Sequence, residues 1–287
     1  MSATTADVLV EALPYIRRFS GRTVVVKYGG NALAGASEQD ALSLFAEDIV
    51  LMHTVGIRPV VVHGGGPQIS GMLERLGIET GFVNGLRVTD GPTLDVVRMV
   101  LNGDVNPRIV GAVNMHGNIA VGLSGEDGRM IVAERRDPAL GFVGDVARVR
   151  PGLLQGLMDD GFVPVVSTVG VDASGQALNI NADTAAGAVA EALGAEKVIY
   201  LTDVAGIRRD VSDPASLIQR ASVTEAEALI ADGTVAGGMI PKVESCVQAV
   251  RGGVKSAHIL DGRVPHALLL ELFTDSGVGT MITGGNK

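Results

Sequence analysis

Short apolar runs recur along the chain, each bounded by turn residues. Such runs, rich in Val and Ile, predict β-strands. They are TVVVKY from Thr23, IRPVVVH from Ile57, NIAVGL from Asn118, FVPVVST from Phe162, KVIYLT from Lys197 and SAHIL from Ser256. Polar and glycine-rich patches at 77–90, 124–148 and 170–180 separate some of them and predict hairpins inserted at the rim of a sheet.

Apolar residues at helical spacing lie between most of these runs. The clearest helix pattern begins at Ser37, and only Asp48 interrupts its apolar stripe. The others cover residues 67–76, 93–101, 152–160, 182–193, 238–250 and 265–273. The alternation predicts an α/β fold, a three-layer αβα sandwich with a mainly parallel open sheet, in two lobes. No linker separates the lobes, and we expect the boundary near Gly194.

Composition narrows the range of functions. The formal net charge is −9, from 23 Lys and Arg against 32 Asp and Glu, which argues against nucleic-acid or membrane partners. A single cysteine, Cys246, excludes an intrachain disulfide and any Cys-based zinc site. The N-terminus lacks the pattern of a secretory signal, and no run is long enough to span a membrane, so we expect a cytoplasmic protein.

Two glycine loops each follow a predicted buried strand. Gly29 and Gly30 follow Lys27, and Gly64, Gly65 and Gly66 precede a predicted helix. Backbone N–H groups at such a helix start favour phosphate or carboxylate, although a plain tight turn would explain either loop. The dinucleotide and P-loop motifs are both absent, because the required glycine spacing and a Gly-Lys pair are missing.

Lys242 also stands just beyond a glycine pair, at the start of a predicted helix. Phosphoryl transfer needs fixed cations around the migrating group, so Lys27 and Lys242 are a candidate pair. A capping or surface lysine is an equal alternative on spacing alone.

Polar side chains also gather before the helix predicted from 182. Asn179, Asn181 and Asp183 alternate there, which suits the rim of a polar substrate site, although Asn and Asp commonly cap helices. Arg87 could bind a carboxylate in a bidentate manner, or it could be a solvated arginine of a hairpin.

These segments together resemble the amino acid kinase family, and within it the members that phosphorylate N-acetyl-L-glutamate. The motifs are KYGGNA at Lys27, VVVHGGGPQI at Val60, GLRVTD at Gly85, NINADTAA at Asn179, LTDVAGI at Leu201 and GGMIPKVE at Gly237. They cover nearly the whole chain in the family's order.

The resemblance implies transfer of the γ-phosphoryl of MgATP to the side-chain carboxylate of N-acetyl-L-glutamate, the second step of arginine biosynthesis. Lys27 and Lys242 would stabilise the transition-state charge, with Asp183 holding both. Substrate would bind at Gly64, Gly65, Arg87, Asn179 and Asn181, and nucleotide at Gly29, Gly30, Thr202, Asp203 and Gly206. Mg²⁺ would arrive with ATP, so no protein metal ligands and no tightly bound cofactor are expected.

The resemblance further implies arginine-sensitive regulation. Residues 1–22 would form a helical extension for assembly into a hexamer, a trimer of dimers, although Pro14 is expected to kink that helix. Residues 23–194 would form the lobe that binds N-acetylglutamate and dimerises. Residues 195–287 would bind ATP, and would bind L-arginine as a feedback inhibitor at His258, Glu271 and Gly277.

Two alternatives stay open. A sister kinase would act on aspartate, free glutamate, carbamate or a uridine nucleotide. The combination of GLRVTD and NINAD with the C-terminal segment that resembles an arginine site argues for the acetylated substrate. A catalytically inactive arginine sensor would have no need of the Lys27, Asp183 and Lys242 set.

Overall fold

The computed structural model describes residues 5–29, 38–274 and 277–285. Its strands are β1 Thr23–Tyr28, β2 Arg58–His63, β3 Phe82–Val83, β4 Leu86–Arg87, β5 Ala120–Ser124, β6 Ile131–Arg135, β7 Val143–Val149, β8 Val163–Ser167, β9 Val169–Val171, β10 Ala177–Ile180, β11 Lys197–Thr202, β12 Arg220–Ser222, β13 Ser256–Asp261 and β14 Thr280–Thr283. All six runs predicted as strands are strands.

The helices are α1 Thr5–Phe19, α2 Glu38–Thr54, α3 Gly66–Arg75, α4 Gly91–Val100, α5 Asn106–Asn114, α6 Gly152–Asp159, α7 Ala182–Ala192, α8 Val223–Ala231, α9 Ile240–Arg251 and α10 Ala267–Phe273. A π-helical turn, Leu101–Val105, joins α4 to α5 without a break. α1 runs through Pro14. Ser37, the predicted start of α2, lies outside the described residues.

Eight strands form the central sheet, in the order β12-β14-β13-β11-β1-β2-β8-β5. Neighbours are parallel except β13 and β14. The register aligns Tyr28 with His63 and with Leu201, so the carboxyl ends of the middle strands meet at one edge. Open α/β sheets bind ligands at this edge.

The valine-rich strands bury side chains on both faces of the sheet. Val25 packs in one apolar core with α7 and α9, and its neighbour Val24 packs in the other with α2 and α5. Both cores combine residues from before and after Gly194. The lobe division at that residue stays a prediction, and the two proposed lobes share one sheet.

The glycine-rich patches form two rim structures. β3 and β4 pair as the hairpin predicted within 77–90. The patches 124–148 and 170–180 do not give two separate hairpins, because β6, β7, β9 and β10 close into one small four-stranded sheet. Helices α5 and α8 and strands β12 and β14 were not predicted.

Asp48, the polar interruption in α2, is buried against His266, with Oδ1 2.6 Å from Nδ1. Burial raises the pKa of Asp48 to about 6, against the lowering effect of His266. The interruption therefore ties α2 to the start of α10. Within the described part of the chain, no helix is both long and apolar enough to cross a membrane.

Candidate active site

A cavity of about 340 Å³ opens at the carboxyl edge of the central sheet. Strand ends and helix starts line it, including Lys27 near the end of β1, the Gly64–Gly66 loop after β2, and Lys242 in the first turn of α9. Residues from all six family-like motifs therefore meet here.

Lys27, Asp183 and Lys242 form one buried ion cluster. The Nζ of Lys27 lies 2.9 Å from Oδ1 of Asp183, and the Nζ of Lys242 donates to Oδ2 at 3.0 Å. The side chain of Asp183 is 8% exposed, and those of Lys27 and Lys242 are 10% and 21% exposed. Burial alone would raise the pKa of Asp183, but the two ammonium groups outweigh it and lower that pKa to about 2.

One carboxylate cannot neutralise two ammonium groups. The cluster therefore leaves one positive charge at the cavity, in a chain whose formal net charge is −9. Because each ammonium is held by its own oxygen of Asp183, the two cations are fixed in place rather than mobile. A fixed, partly dehydrated positive charge is the environment that stabilises a migrating phosphoryl group.

The glycines of the two loops leave room for a ligand to approach the backbone closely. A Cβ on Gly29 would lie 2.9 Å from the Nζ of Lys27, and one on Gly65 would lie 2.8 Å from Leu101. Gly65 caps α3 without a side-chain hydrogen bond, and the second residue of that helix is Pro67. The first N–H groups of a helix have no intrahelical acceptor, so this loop offers backbone donors to an anion.

Arg87 lines the same cavity and is held in place from two sides. Its Nη2 donates to the carbonyl of Gly66 at 3.1 Å and to Ser70 Oγ at 2.7 Å, and its guanidinium lies 4.6 Å from the ring centre of Phe82. Burial lowers the pKa of Arg87. Both of these hydrogen bonds with described residues use Nη2, which leaves Nε and Nη1 as donors for a ligand.

The two asparagines lie at the cavity in different ways. Asn179 lines the cavity, and its Nδ2 donates to Thr89 Oγ1 at 3.1 Å. Asn181 Oδ1 accepts from the N–H groups of Asp183 and Thr184, so it caps α7 and holds the cluster carboxylate at the helix start.

A second cavity, of about 610 Å³, adjoins the first, and Asp203 and Lys242 line both. Gly206 lines the second cavity and Thr202 the first, with Thr202 Oγ1 donating to Asp203 at 3.1 Å. Gly30 lies outside the described residues. Arg263 also lines the second cavity and was missed from the sequence, where it is one exposed arginine among many.

A third cavity, of about 340 Å³, lies between α1 and the far end of the sheet, and Glu271 and Gly277 line it. Glu271 Oε1 is 2.8 Å from Nδ1 of His258 and 3.2 Å from Nζ of Lys197. Burial alone would raise the pKa of Glu271, but His258 and Lys197 lower it. Lys197 was missed as a site residue; its only signal was a lysine opening an apolar strand.

Among the described residues, no group of three or more His, Cys, Asp or Glu side chains is placed to hold a metal ion. The predicted catalytic and substrate residues thus meet at one cavity. Their individual roles stay predictions.

The chain is similar to known proteins along nearly its whole length. The model of the amino acid kinase family matches residues 22–261. An acetylglutamate kinase of Nostoc sp. is 56% identical over 283 residues, 98% of this chain and 94% of that relative. One of Heliobacterium modesticaldum is 52% identical, covering 96% of this chain and 97% of that relative.

A solved structure extends the comparison to the fold. N-acetylglutamate synthase from Neisseria gonorrhoeae, complexed with coenzyme A and N-acetyl-glutamate, superposes with a TM-score of 0.86 at 29% identity. The match covers 99% of this chain and 65% of the synthase, so this chain spans just under two thirds of that protein's length.

Proposed function

This chain belongs to the amino acid kinase family and is a kinase, and we propose that it transfers the γ-phosphoryl group of MgATP to the side-chain carboxylate of N-acetyl-L-glutamate. The product is N-acetyl-L-glutamyl 5-phosphate, and the reaction is the second step of arginine biosynthesis. The similarity to the acetylglutamate kinases of Nostoc and Heliobacterium supports this acceptor.

The observation that carries the proposal is the position of the Lys27–Asp183–Lys242 cluster between two cavities. The smaller cavity contains Arg87, which suits the α-carboxylate of an amino-acid derivative, with Asn179 beside it. The larger one has the volume for a nucleotide. Acceptor and donor would therefore approach from opposite sides and meet at the lysines.

The residues act by position and charge. The acceptor carboxylate is already ionised near pH 7 and attacks phosphorus directly, so no general base is required. As the bond to the leaving ADP oxygen breaks, Lys27 and Lys242 stabilise the charge on the migrating oxygens. Asp183 stays ionised and prevents the two ammonium groups from moving apart. Mg²⁺ enters as part of the MgATP substrate.

The reaction is tested by trapping the acyl phosphate with hydroxylamine, with N-acetyl-L-glutamate, free glutamate and aspartate as parallel acceptors. We expect product from N-acetyl-L-glutamate alone. Lys27→Ala should lose about 100-fold in turnover, because it removes one transition-state cation. The exposed Arg148→Ala is the matched control. Equal turnover on a different acceptor would reassign the substrate to that of a sister kinase.

We further propose feedback inhibition by L-arginine at the third cavity. Its Glu271 carboxylate would receive the guanidinium in place of Lys197, and the cavity's cations Arg18, Arg220 and Lys255 suit the α-carboxylate. Inhibition by L-arginine but not D-arginine in the same assay tests this. Equal activity with and without millimolar L-arginine would exclude it.

The proposal extends to assembly and location. Tyr15 and Phe19 of α1 line the third cavity, so the N-terminal helix would couple arginine binding to a hexamer built as a trimer of dimers in the cytoplasm. Removing residues 1–20 should weaken inhibition and reduce the mass measured by light scattering. A truncated chain with unchanged mass and unchanged inhibition would separate the helix from both roles.

A further inference from the structure

A buried polar pair lies directly behind the Gly64–Gly66 loop. His63, the last residue of β2, is fully buried and does not line the cavity. Its Nδ1 is 3.0 Å from the carbonyl of Gly64, and its Nε2 is 2.9 Å from Nδ2 of Asn106. The His63–Asn106 pair therefore contacts the backbone of the loop and lies outside the cavity where the reacting groups would bind.

The partners fix the proton on the imidazole ring. A carbonyl oxygen only accepts, so Nδ1 of His63 carries the proton and donates to Gly64. Nε2 then accepts from Asn106, whose second amide hydrogen goes to the carbonyl of Val165 at 2.9 Å. Burial lowers the pKa of His63 to about 4, so the ring stays neutral near pH 7.

The surroundings of Asn106 are shaped to this side chain. The π-helical turn Leu101–Val105 ends directly before it, and π turns inside helices are frequent at functional sites. A Cβ on Gly122 would lie 2.0 Å from Asn106 Oδ1. Only glycine at 122 therefore admits the asparagine, on a strand whose other residues carry side chains.

The geometry of the Gly64–Gly65 peptide links the hydrogen bond of His63 to the cavity. In a trans peptide the carbonyl and the following N–H point in opposite directions, and the described chain contains no cis peptide. When His63 holds the Gly64 carbonyl on the buried side, the Gly65 N–H is turned to the opposite side, where Gly65 lines the cavity. A Gly-Gly peptide has little conformational preference of its own, so it needs this restraint.

We propose that His63 is a positioning residue for phosphoryl transfer, which directs the Gly65 N–H at the reacting oxygens by holding the Gly64 carbonyl, and that Asn106 fixes the imidazole for this task. The inference rests on the proposed function, since it assumes an anionic group at the cavity. Because the Gly65 N–H would stabilise the transition state, loss of the His63–Gly64 hydrogen bond should affect kcat more than KM.

Two matched variants separate the two hydrogen bonds of the ring. In His63→Asn the side-chain amide reaches the place of Nδ1 and can still donate to Gly64, but it loses Asn106. In His63→Gln the amide reaches the place of Nε2 and keeps Asn106, but it loses Gly64. Each variant removes one buried hydrogen bond, so we expect similar losses in melting temperature.

Turnover should distinguish them. We expect kcat of His63→Gln to fall at least tenfold, with KM for both substrates within threefold of wild type, and kcat of His63→Asn to stay within threefold. Equal kcat for the two variants, or a change confined to KM, would overturn the inference. A wild-type chain that phosphorylates no acceptor would remove the proposed function itself, and this inference with it.

Asn106→Asp gives a second readout if the histidine variants fold poorly. The new carboxylate accepts a hydrogen bond from Nε2. At pH 9 a neutral ring would place its single proton on Nε2, and Nδ1 would have no proton to donate to Gly64. At lower pH a doubly protonated ring would still donate from both nitrogens. The native contacts of the ring, Gly64 and Asn106, are uncharged. We expect kcat of this variant to fall at least fivefold from pH 6.5 to pH 9, relative to wild type. Parallel profiles would contradict a role for the Nδ1 proton.

Discussion

Two carboxylates with little exposure, those of Asp183 and Glu271, each lie between two nitrogen groups, yet the sets differ in charge. Asp183 faces two lysines. Glu271 faces Lys197 and His258, and burial lowers the pKa of that histidine, which keeps the ring neutral near pH 7. The first set retains a positive charge and the second is balanced. The Asp183 set suits the stabilisation of a migrating anionic group. The Glu271 set suits the replacement of the Lys197 ammonium by another cation.

Asp183→Asn should have the largest effect on this comparison. Without the carboxylate, the Lys27 and Lys242 ammonium groups repel each other and lose their fixed positions, so we expect kcat to fall at least about 100-fold. Loss of a buried partner should also cost about 3 kcal/mol of stability. The hydroxylamine assay and chemical denaturation measure the two effects. The exposed Asp95→Asn, on α4, serves as control, and a variant with normal turnover would remove Asp183 from the mechanism.

The next largest effect is expected in the free energy of unfolding at acidic pH. The pKa of Asp183 falls from 3.8 to about 2 on folding, so its stabilising contribution is complete above pH 3.8 and is lost as the pH falls to about 2. The shift corresponds to about 2 kcal/mol. Urea unfolding of wild type and Asp183→Asn between pH 5 and pH 2 should show a steeper decline for wild type. Parallel curves would contradict the assigned pKa.

Glu271→Gln should affect regulation. The neutral amide cannot pair with a guanidinium, so the L-arginine concentration that halves turnover should rise at least about tenfold, equivalent to about 1.4 kcal/mol. Titration of L-arginine into the trapping assay measures it, with Glu227→Gln as control, because that change removes a partly exposed carboxylate that pairs with Arg251. An unchanged half-inhibition concentration would exclude Glu271 from effector binding.

The smallest effects are expected from one glycine beside each set. A Cβ on Gly29 would lie 2.9 Å from the Nζ of Lys27, and one on Gly277 would lie 3.1 Å from Oε2 of Glu271. Gly29→Ala should lower kcat severalfold by displacing the flexible ammonium. Gly277→Ala should cost about 1 kcal/mol, because Gly277 has a φ of 43°. If kcat and the free energy of unfolding changed equally in the two variants, the Asp183 set and the Glu271 set would not be independent.

The sequence predicted the Asp183 set better than the Glu271 set for a physical reason. Lys27, Asp183 and Lys242 each stand where a strand ends or a helix begins, beside glycines or polar residues that are visible in the chain. Lys197 opens a strand, where a lysine is normally solvated, and its contact with Glu271 depends on how α10 packs. Pairing between distant elements leaves no local pattern.

The same limit explains the missed elements. Helix α5 follows a π turn containing Gly103 and begins with Asn106 and Pro107, which interrupt the helical pattern. β12 is three residues long and β14 four, and each gains its partner only from the completed sheet. His63 and Asn106 are close only because the end of β2 meets the start of α5.

The position of β1 in the sheet has a consequence for synthesis on the ribosome. β1 pairs with β2 on one side and with β11 on the other. β2 emerges soon after β1, whereas β11 emerges only after most of the chain has been translated. One edge of this central strand therefore stays open during most of elongation. The nascent chain must be kept from pairing with other strands until Lys197–Thr202 arrives, and the site containing Lys27 is completed only near termination.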